Sequence, residues 1–299
     1  MSETAKGVWI CLSAQGLFGV LYLFSRWMMP LSGTQVYALR VPLMFLGLLV
    51  IVRLTIGVRG LWRFYQQHLQ HNLKDWGLML LGSALFHLQM WLFMWAPVNG
   101  EGINTAMGYF LLPLVMVFIG WLMGEKLNRW QIAALVFAAT GVGYEWWMSK
   151  AFSWTTALVA IGFPAYYLLR RWMRVGALEG LVFDLAVMTL PCLYWIATDK
   201  WIVDVITHEA KFYALLPLLG IISALGQYAN MQSNLLLPMS LFGMLSYLEP
   251  ALLFLAAVVI LATPMSASAI VSYSLIWAAL GLLTISAFRR WRWRYRHLP

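Results

Sequence analysis

Charge is scarce in this sequence. Asp, Glu, Lys and Arg make up only 10% of its 299 residues, whereas 62% are hydrophobic and the mean hydropathy is +0.76. Soluble domains carry about 25% charged residues, so this composition argues against a water-soluble globular protein. Apolar runs of about 20 residues, the length that a helix needs to cross the hydrocarbon core, recur along the chain. The sequence therefore predicts an all-α integral membrane protein.

Cysteines and enzyme motifs are also few. The two cysteines, Cys11 and Cys192, each lie inside an apolar run, which is typical of buried thiols and not of a disulfide or a metal site. The sequence contains no His-Glu-x-x-His, no Gly-x-Ser-x-Gly and no glycine-rich nucleotide loop. We therefore expect a non-enzyme without cofactor or metal. The alternative is an integral membrane transferase acting on a lipid-linked or small-molecule substrate.

The apolar runs predict ten membrane spans. A further amphipathic helix, with leucines and a tyrosine at four-residue spacing within residues 59–76, is expected to lie along the membrane surface. The predicted spans are 7–30, 34–57, 76–95, 103–124, 130–149, 152–173, 180–199, 212–235, 239–262 and 267–288.

Positive charge is placed unevenly between the two sides of these spans. If the N-terminus is cytoplasmic, the inner segments hold fifteen Lys and Arg, including Arg170 and Arg171, against three in the outer segments: Lys150, Lys200 and Lys211. This positive-inside bias predicts a multi-pass protein with both termini in the cytoplasm. We attribute the net charge of +9 to basic residues that set the membrane topology and contact anionic lipids of the bilayer. We expect no binding to nucleic acid.

A short phrase occurs twice in the sequence. "LYLFSRWM" (21–28) ends the first span and "YYLLRRWM" (166–173) ends the sixth, with five of eight letters identical. Because five spans separate the two copies, the second runs in the opposite direction through the membrane. The pattern predicts a five-plus-five inverted repeat, with one unit at 1–150 and an inverted unit at 151–299 that ends in a basic cytoplasmic tail. Secondary transporters with this organisation bind substrate near the midplane.

Four ionisable residues lie deep within predicted spans: Arg40, His87, Asp184 and Glu249. A charge within a bilayer costs roughly 2.5–3.5 kcal/mol on insertion scales, so it marks a functional site by default. We expect Arg40 to bind a substrate carboxylate or polar head group, and Glu249 to take a cationic group or a coupling proton. Asp184 and His87 are further candidates for proton coupling. The alternative is that Arg40 forms a structural ion pair with Glu249 or Asp184, and that His87 is a packing residue.

Aromatic, amide and proline residues complete the candidate site. We predict an aromatic-lined pocket with polar contacts, which suits amphipathic substrates, and helix kinks near the midplane at Pro113 and Pro250. The pocket candidates are Trp91, Trp95, Tyr109, Tyr166 and Tyr247, with Gln89, Asn99, Gln227 and Asn230.

Three stretches resemble a known family. "GYFLLPLVMVFIGWLMGEK" (108–126), "SLFGMLSYLEPALLFLAAVVI" (240–260) and "LRVPLMF" (39–45) are similar to spans of the drug/metabolite transporter superfamily, EamA type, and in particular of its RarD-like branch. The resemblance implies ten spans, a location in the bacterial cytoplasmic (inner) membrane, and export of small molecules such as amino-acid-like metabolites or phenicol-type drugs. Separately, we expect a monomer. Two departures leave substrate and coupling open. The family's second Gly-Glu is missing near Thr263, and Glu249 stands where relatives often have a neutral residue.

Overall fold

The structure is a computed structural model that describes residues 3–70, 73–149 and 154–255, together with the pairs 270–271, 274–275, 278–279 and 281–282. This part of the chain forms twelve α-helices. They are α1 (Glu3–Trp27), α2 (Gly33–Leu54), α3 (Gly57–Phe64), α4 (Leu73–Trp95), α5 (Gly102–Leu122), α6 (Arg129–Ser149), α7 (Trp154–Trp172), α8 (Ala177–Thr198), α9 (Lys200–His208), α10 (Lys211–Leu236), α11 (Met239–Leu245) and α12 (Leu248–Leu255).

Five of these helical stretches are long and apolar enough to cross a membrane: Glu3–Trp27, Gly33–Leu54, Leu73–Val98, Ala177–Thr198 and Lys211–Leu236. Shorter apolar stretches, Gly108–Leu122 and Ile132–Met148, lie in α5 and α6. The predicted all-α membrane class is therefore confirmed. The first eight predicted spans each coincide with one helix, whereas the tenth, 267–288, lies outside the continuous described ranges.

The structure differs from the sequence prediction at three places. The surface helix is shorter than expected, because α3 passes into a single π-helical turn at Tyr65–Leu69. The ninth span is divided into α11 and α12 at Ser246–Tyr247. An additional short helix, α9, follows α8 directly.

Asp199 begins α9 and joins it to α2. One carboxylate oxygen accepts from the backbone N–H groups of Trp201 (3.0 Å) and Ile202 (3.3 Å), and the other accepts from the Gln35 side chain at 3.0 Å. The hydrogen bond from Gln35, followed by those from the backbone, holds the pKa of Asp199 below its usual value. The carboxylate is thus ionised at neutral pH, and this cap is lost only when the pH falls below the ordinary aspartate range, about 3.9.

The helix ends collect at two opposite ends of the bundle. At one end, Gln35 meets Asp199 and the Lys211 ammonium donates to the carbonyl of Met29; we call this the Asp199 end. At the other, Arg171 contacts the last turn of α10 and Glu125 contacts the first turn of α11; we call this the Arg171 end. Successive long helices run between these ends in alternating directions.

Contacts between the two halves of the chain hold the bundle together. Helix α1 packs on α10, α11 and α12, while α2 packs on α8 and α10. Helix α4 packs on α7 and α8, and α5 packs on α7 and α11. Small residues allow the closest of these approaches, as is usual between membrane helices: a Cβ added to Gly108 of α5 would lie 2.6 Å from Cβ of Val159 in α7.

Replacing Gly108 with Ala should destabilise the protein by about 1–3 kcal/mol, the usual cost of an extra methyl group in a packed interface. The new Cβ would also lie 2.8 Å from the carbonyl oxygen of Thr156, which belongs to the backbone of α7 and cannot rotate away. Gly16→Ala is the matched control, since nothing lies within 4 Å of a Cβ added there. Thermal midpoints in detergent should separate the two variants, and equal midpoints would contradict the close packing of α5 on α7.

Candidate functional site

A cavity lies inside the bundle between the two halves of the chain. The volume open to the centre of a water molecule is about 30 Å³. One water molecule needs roughly 10–15 Å³ of such volume, so the cavity holds about two. The side chains around it come from both halves. They are Phe18, Arg40, Gln89, Met90, Phe93, Tyr109 and Leu112 from the first half, and Phe163, Tyr167, Gln227, Asn230, Ser246 and Glu249 from the second.

Arg40 is the positive charge of the cavity. Its side chain is 1% exposed, its Nε donates to the hydroxyl of Ser223 at 3.0 Å, and its guanidinium lies 5.6 Å from the centre of the Phe93 ring. Within the described residues it makes no ion pair. A guanidinium held at one nitrogen and bordered by an aromatic ring keeps its remaining donors for an anion or a carbonyl group.

Glu249 is the negative charge of the cavity. It is the second residue of α12, directly after the break at Ser246–Tyr247, so its carboxylate lies near the positive end of a helix dipole. No acid or base of the described chain pairs with it within 4 Å, Arg40 included. The two opposite charges attract each other across the cavity without forming a direct ion pair.

Amide side chains add hydrogen-bonding groups between these charges. Asn230 donates to the Tyr167 hydroxyl at 2.7 Å and accepts from the Gln15 amide at 3.5 Å. The Gln89 amide nitrogen donates to the carbonyl of Leu158 at 2.7 Å, but its oxygen has no hydrogen-bond partner among the described residues. A buried acceptor without a partner costs about 1–3 kcal/mol, so this oxygen indicates a place for a donor.

A second group of buried polar residues surrounds Asp184. Its carboxylate forms an ion pair with Arg170 and accepts hydrogen bonds from Ser83 (2.5 Å) and Tyr166 (2.7 Å). His87 bonds to the Asp184 carbonyl at 2.7 Å, and its other ring nitrogen lies 3.0 Å from the Tyr37 hydroxyl. Every residue of this Asp184 network is buried.

The structure separates the predicted site residues into groups. It brings Arg40, Tyr109, Gln227, Asn230 and Glu249 to the cavity. Tyr166, Asp184 and His87 belong to the Asp184 network instead. The ion-pair partner of Asp184 is therefore Arg170, not Arg40.

Trp91, Trp95 and Asn99 lie towards the Asp199 end. Trp91 stacks on Trp95 and donates to Thr34 at 3.2 Å, while the Asn99 amide donates to the Trp95 carbonyl at 2.8 Å. These contacts secure the end of α4 to the start of α2. None of the three residues lines the cavity.

The predicted kink residues and Tyr247 lie near the break in the ninth span. Pro113 is inside α5, which continues through it, and Pro250 is the third residue of α12. Gly243 of α11 packs against α5, where an added Cβ would lie 3.1 Å from the Pro113 carbonyl oxygen. Tyr247 is buried beside Phe110 in a second hydrophobic cluster and does not line the cavity.

Sequence reasoning missed the apolar lining of the cavity and two of the polar roles. Tyr167 lines the cavity, although its neighbour Tyr166 was predicted to do so. Arg170 was counted among the charges of the inner surface, but it is 1% exposed and ion-paired with Asp184. The repeat at 21–28 and 166–173 could have indicated a special role for Arg170, because the corresponding residue in the first copy is the uncharged Ser25.

Two charged residues clamp the turn between α10 and α11. The Arg171 guanidinium donates to the Asn234 and Leu237 carbonyls at the end of α10. The Glu125 carboxylate accepts from the N–H groups of Met239 (2.6 Å) and Ser240 (2.9 Å) at the start of α11. Each charge complements the helix end that it contacts. These contacts, the Glu125–Arg171 clamp, hold the turn at Leu237 and Pro238 in place at the Arg171 end.

A polytopic helical bundle with a cavity between its two halves, lined by apolar and a few charged and amide residues, is the architecture of a membrane transporter, and comparison with known proteins shows the same class. An uncharacterized transporter of Haemophilus influenzae is 44% identical over 286 residues, covering 95% of this chain and 95% of that protein. The chloramphenicol-sensitive protein RarD of Pseudomonas aeruginosa is 39% identical over 295 residues, covering 95% of each chain. The chain belongs to the RarD-like family of transporters.

Two further comparisons are consistent with this assignment. Protein RarD of Streptomyces exfoliatus is 27% identical over 297 residues, covering 96% of this chain and 91% of that protein. A solved crystal structure with 18% identity has a TM-score of 0.67 and covers 95% of this chain and 98% of its own, which shows a common fold. No family model matches the chain.

Proposed function

We propose that the protein is a secondary transporter that exports small amphipathic organic molecules across the bacterial cytoplasmic membrane by alternating access. The observation that carries the proposal is the cavity itself. Arg40 and Glu249 come from different halves of the chain, face the same enclosed space and form no direct ion pair with each other. A buried guanidinium and a half-buried carboxylate that no described residue neutralises are costly inside a membrane, and a substrate with complementary groups would offset that cost.

The helix contacts support the proposed inverted repeat of 1–150 and 151–299. If α1, α2, α4 and α5 correspond to α7, α8, α10 and α11–α12, the most extensive interhelix contacts have counterparts. The packing of α1 on α10 matches that of α7 on α4, and the packing of α2 on α10 matches that of α8 on α4. Arg40 and Asp184 are each the eighth residue of corresponding helices, and they contact Ser223 and Ser83 on the other corresponding pair.

The Arg171 end is proposed to face the cytoplasm, with both termini on that side. Exposed basic residues surround this end, among them Arg53, Arg59 and Arg63 near α3. Removing the buried Arg170 from the earlier count leaves fourteen positive residues inside against three outside (15 − 1 = 14), so the positive-inside argument stands.

Alternating access explains the small volume of the cavity. A space for two water molecules is far below the roughly 300–1,000 Å³ of a ligand pocket, so a substrate enters in a wider conformation. The Glu125–Arg171 clamp closes the cytoplasmic end in the conformation described here. Helix α11 is a single short segment between the clamp and the break at Ser246–Tyr247, and it is the element best suited to move.

The substrate range is proposed from the cavity and from the relatives. The name of the Pseudomonas aeruginosa relative associates that protein with chloramphenicol. Aromatic walls beside charged and amide groups suit amphipathic molecules of this size class, both amino-acid-like metabolites and phenicols.

Transport can be tested without knowing the substrate. Inverted membrane vesicles that contain the protein would be energised and incubated with chloramphenicol and with an extract of small bacterial metabolites, and the vesicle contents analysed by mass spectrometry. We expect at least one solute to accumulate with the wild-type protein and not with Arg40→Gln/Glu249→Gln. Identical contents for wild type, double variant and empty vesicles would overturn the proposal.

Glu249→Gln alone should remove the dependence of transport on a pH gradient while solute exchange persists, if Glu249 carries the coupling proton. The groups that face it across the cavity are Arg40, Tyr109 and Tyr167, and among these four only a carboxylate ordinarily titrates below neutral pH. Solute counterflow measured with and without a pH gradient provides the test. Unchanged gradient dependence in the variant would exclude Glu249 as the coupling residue.

A further inference from the structure

The Gln89 side chain is held in a fixed orientation by α7. An added Cβ on Gly162 would lie 2.0 Å from the Gln89 amide nitrogen, so the amide occupies the space that the missing side chain leaves. The same nitrogen donates to the Leu158 carbonyl at 2.7 Å. Because the amide nitrogen donates to α7, this hydrogen bond defines the orientation of the amide group. The amide oxygen then points away from that bond and can accept from another group.

The Gln89 side-chain oxygen is a hydrogen-bond acceptor for which no described residue provides a donor. The residue is 0% exposed, lines the cavity, and its oxygen has no hydrogen-bond partner among the described residues. The neighbouring amides do not supply the missing donor: the Asn230 amide nitrogen is bonded to Tyr167, and the Gln227 amide makes no hydrogen bond to Gln89. The Glu249 carboxylate, which faces the same cavity, also accepts and cannot donate when ionised.

The cavity therefore presents both acceptors and donors to a substrate. Gln89 and Glu249 offer oxygens to a group with several N–H donors and positive charge, whereas the Arg40 guanidinium offers donors and positive charge to an anion. The walls between them include the Phe18, Phe93 and Phe163 rings. A neutral molecule satisfies neither charge, and a molecule with one charge leaves the other charge without a partner.

We infer that Gln89 determines substrate specificity: together with Glu249 it binds the ammonium group of a zwitterion whose anionic group binds Arg40 and whose apolar part lies among the phenylalanines. This inference rests on the proposed function, since it concerns the same cavity. It goes further in assigning a role to Gln89 and in ranking a doubly charged substrate above a neutral one.

The test uses four probes of equal shape: phenylalanine with both charges, phenylalaninamide with the cation only, 3-phenylpropanoate with the anion only, and 3-phenylpropanamide with neither. Chloramphenicol is the neutral drug for comparison. Affinities would be measured by thermal shift and calorimetry on the purified full-length protein. We expect phenylalanine to bind about tenfold or more tightly than each of the other probes, since each charged hydrogen bond contributes that much.

The variants should change the relative affinities of the cationic and anionic probes in opposite directions. Arg40→Gln should weaken phenylalanine by about tenfold and leave phenylalaninamide unchanged, while Glu249→Gln should weaken phenylalanine and leave 3-phenylpropanoate unchanged. Gln89→Met, which keeps the length and removes the acceptor, should weaken only the two probes that carry an ammonium group. A general loss of folding would weaken all probes together. Glu209→Gln, at an exposed ion pair on the Asp199 end, is the control.

Three outcomes would overturn the inference. They are equal affinity for the four probes, preferential binding of chloramphenicol, and no binding of any zwitterion. Solute accumulation in the vesicle experiment together with any of these results would leave the transporter proposal intact and reject only the zwitterion. Equal loss of all four probes in Gln89→Met would reject the role of Gln89.

Discussion

Replacing Asp184 with Asn is expected to lower the free energy of unfolding by about 3–5 kcal/mol, the cost of leaving one member of a buried ion pair without its partner. Arg170 is 1% exposed and Asp184 is 0% exposed, so water cannot take the place of the lost carboxylate. Ser83 and Tyr166 would also lose an ionised acceptor. Unfolding titrations in detergent micelles, with the thermal midpoint as a second readout, measure the effect.

Two further variants show whether the loss comes from the unpaired charge. Asp204→Asn removes an exposed carboxylate paired with His208 and should change stability by less than about 1 kcal/mol. Arg170→Met/Asp184→Leu removes both charges and should recover most of the loss, because apolar replacements of a buried pair are often neutral. A stable Asp184→Asn protein that no longer couples transport to a proton gradient would contradict the structural role and favour proton transfer at Asp184.

Replacing Glu125 with Ala should increase the rate at which a maleimide labels Cys11 by about tenfold or more. The change removes two hydrogen bonds to a carboxylate at the start of α11, and such bonds contribute about 1.5–3 kcal/mol each. Cys11 lies on α1 between Gly7, which contacts Leu237, and Gln15, which contacts Asn230 at the cavity. It is 0% exposed, so its labelling reports the opening of the Arg171 end.

The second cysteine provides an internal reference for the same experiment. Cys192 is buried near the other end of the bundle, on α8 six residues before its last residue, Thr198. Its labelling should stay constant or fall when the Arg171 end opens. Equal acceleration at both cysteines would indicate general loosening of the fold and would contradict a local clamp. Glu209→Gln, at an exposed ion pair of the Asp199 end, should alter neither rate.

The positions of the long helices followed from the sequence because membrane helices must be continuously apolar. The break in the ninth span was predicted only as a kink at Pro250. A proline clashes with the carbonyl four residues earlier, which is that of Ser246, and the helix is interrupted there. The same rule did not interrupt α5 at Pro113, since one proline alone does not decide between a bend and a break. Helix α9 was missed because nine residues lie below the length of a span.

The charged and amide residues of the site were predictable because polar groups are rare inside spans. Their partners were not, because the rotation of each helix about its axis is fixed by packing that no single sequence displays. Tyr166 and Tyr167 illustrate this point. Consecutive residues of a helix point about 100° apart at 3.6 residues per turn, so one hydroxyl reaches Asp184 and the other reaches Asn230. Of the aromatic residues predicted for the pocket, Tyr109 lines the cavity, whereas the other four lie elsewhere.

Arg170 has a consequence for the energetics of the transport cycle. In the repeated sequence its place is taken by Ser25 in the first half, so Asp184 has a counter-ion from its own half, whereas Arg40 has none among the residues that the structure describes. If the halves exchange conformations during transport, the two exchanged states cannot have the same energy, because only one half carries an internal ion pair. The carrier would then have a preferred resting orientation, and its unidirectional and exchange rates would differ even without any gradient across the membrane.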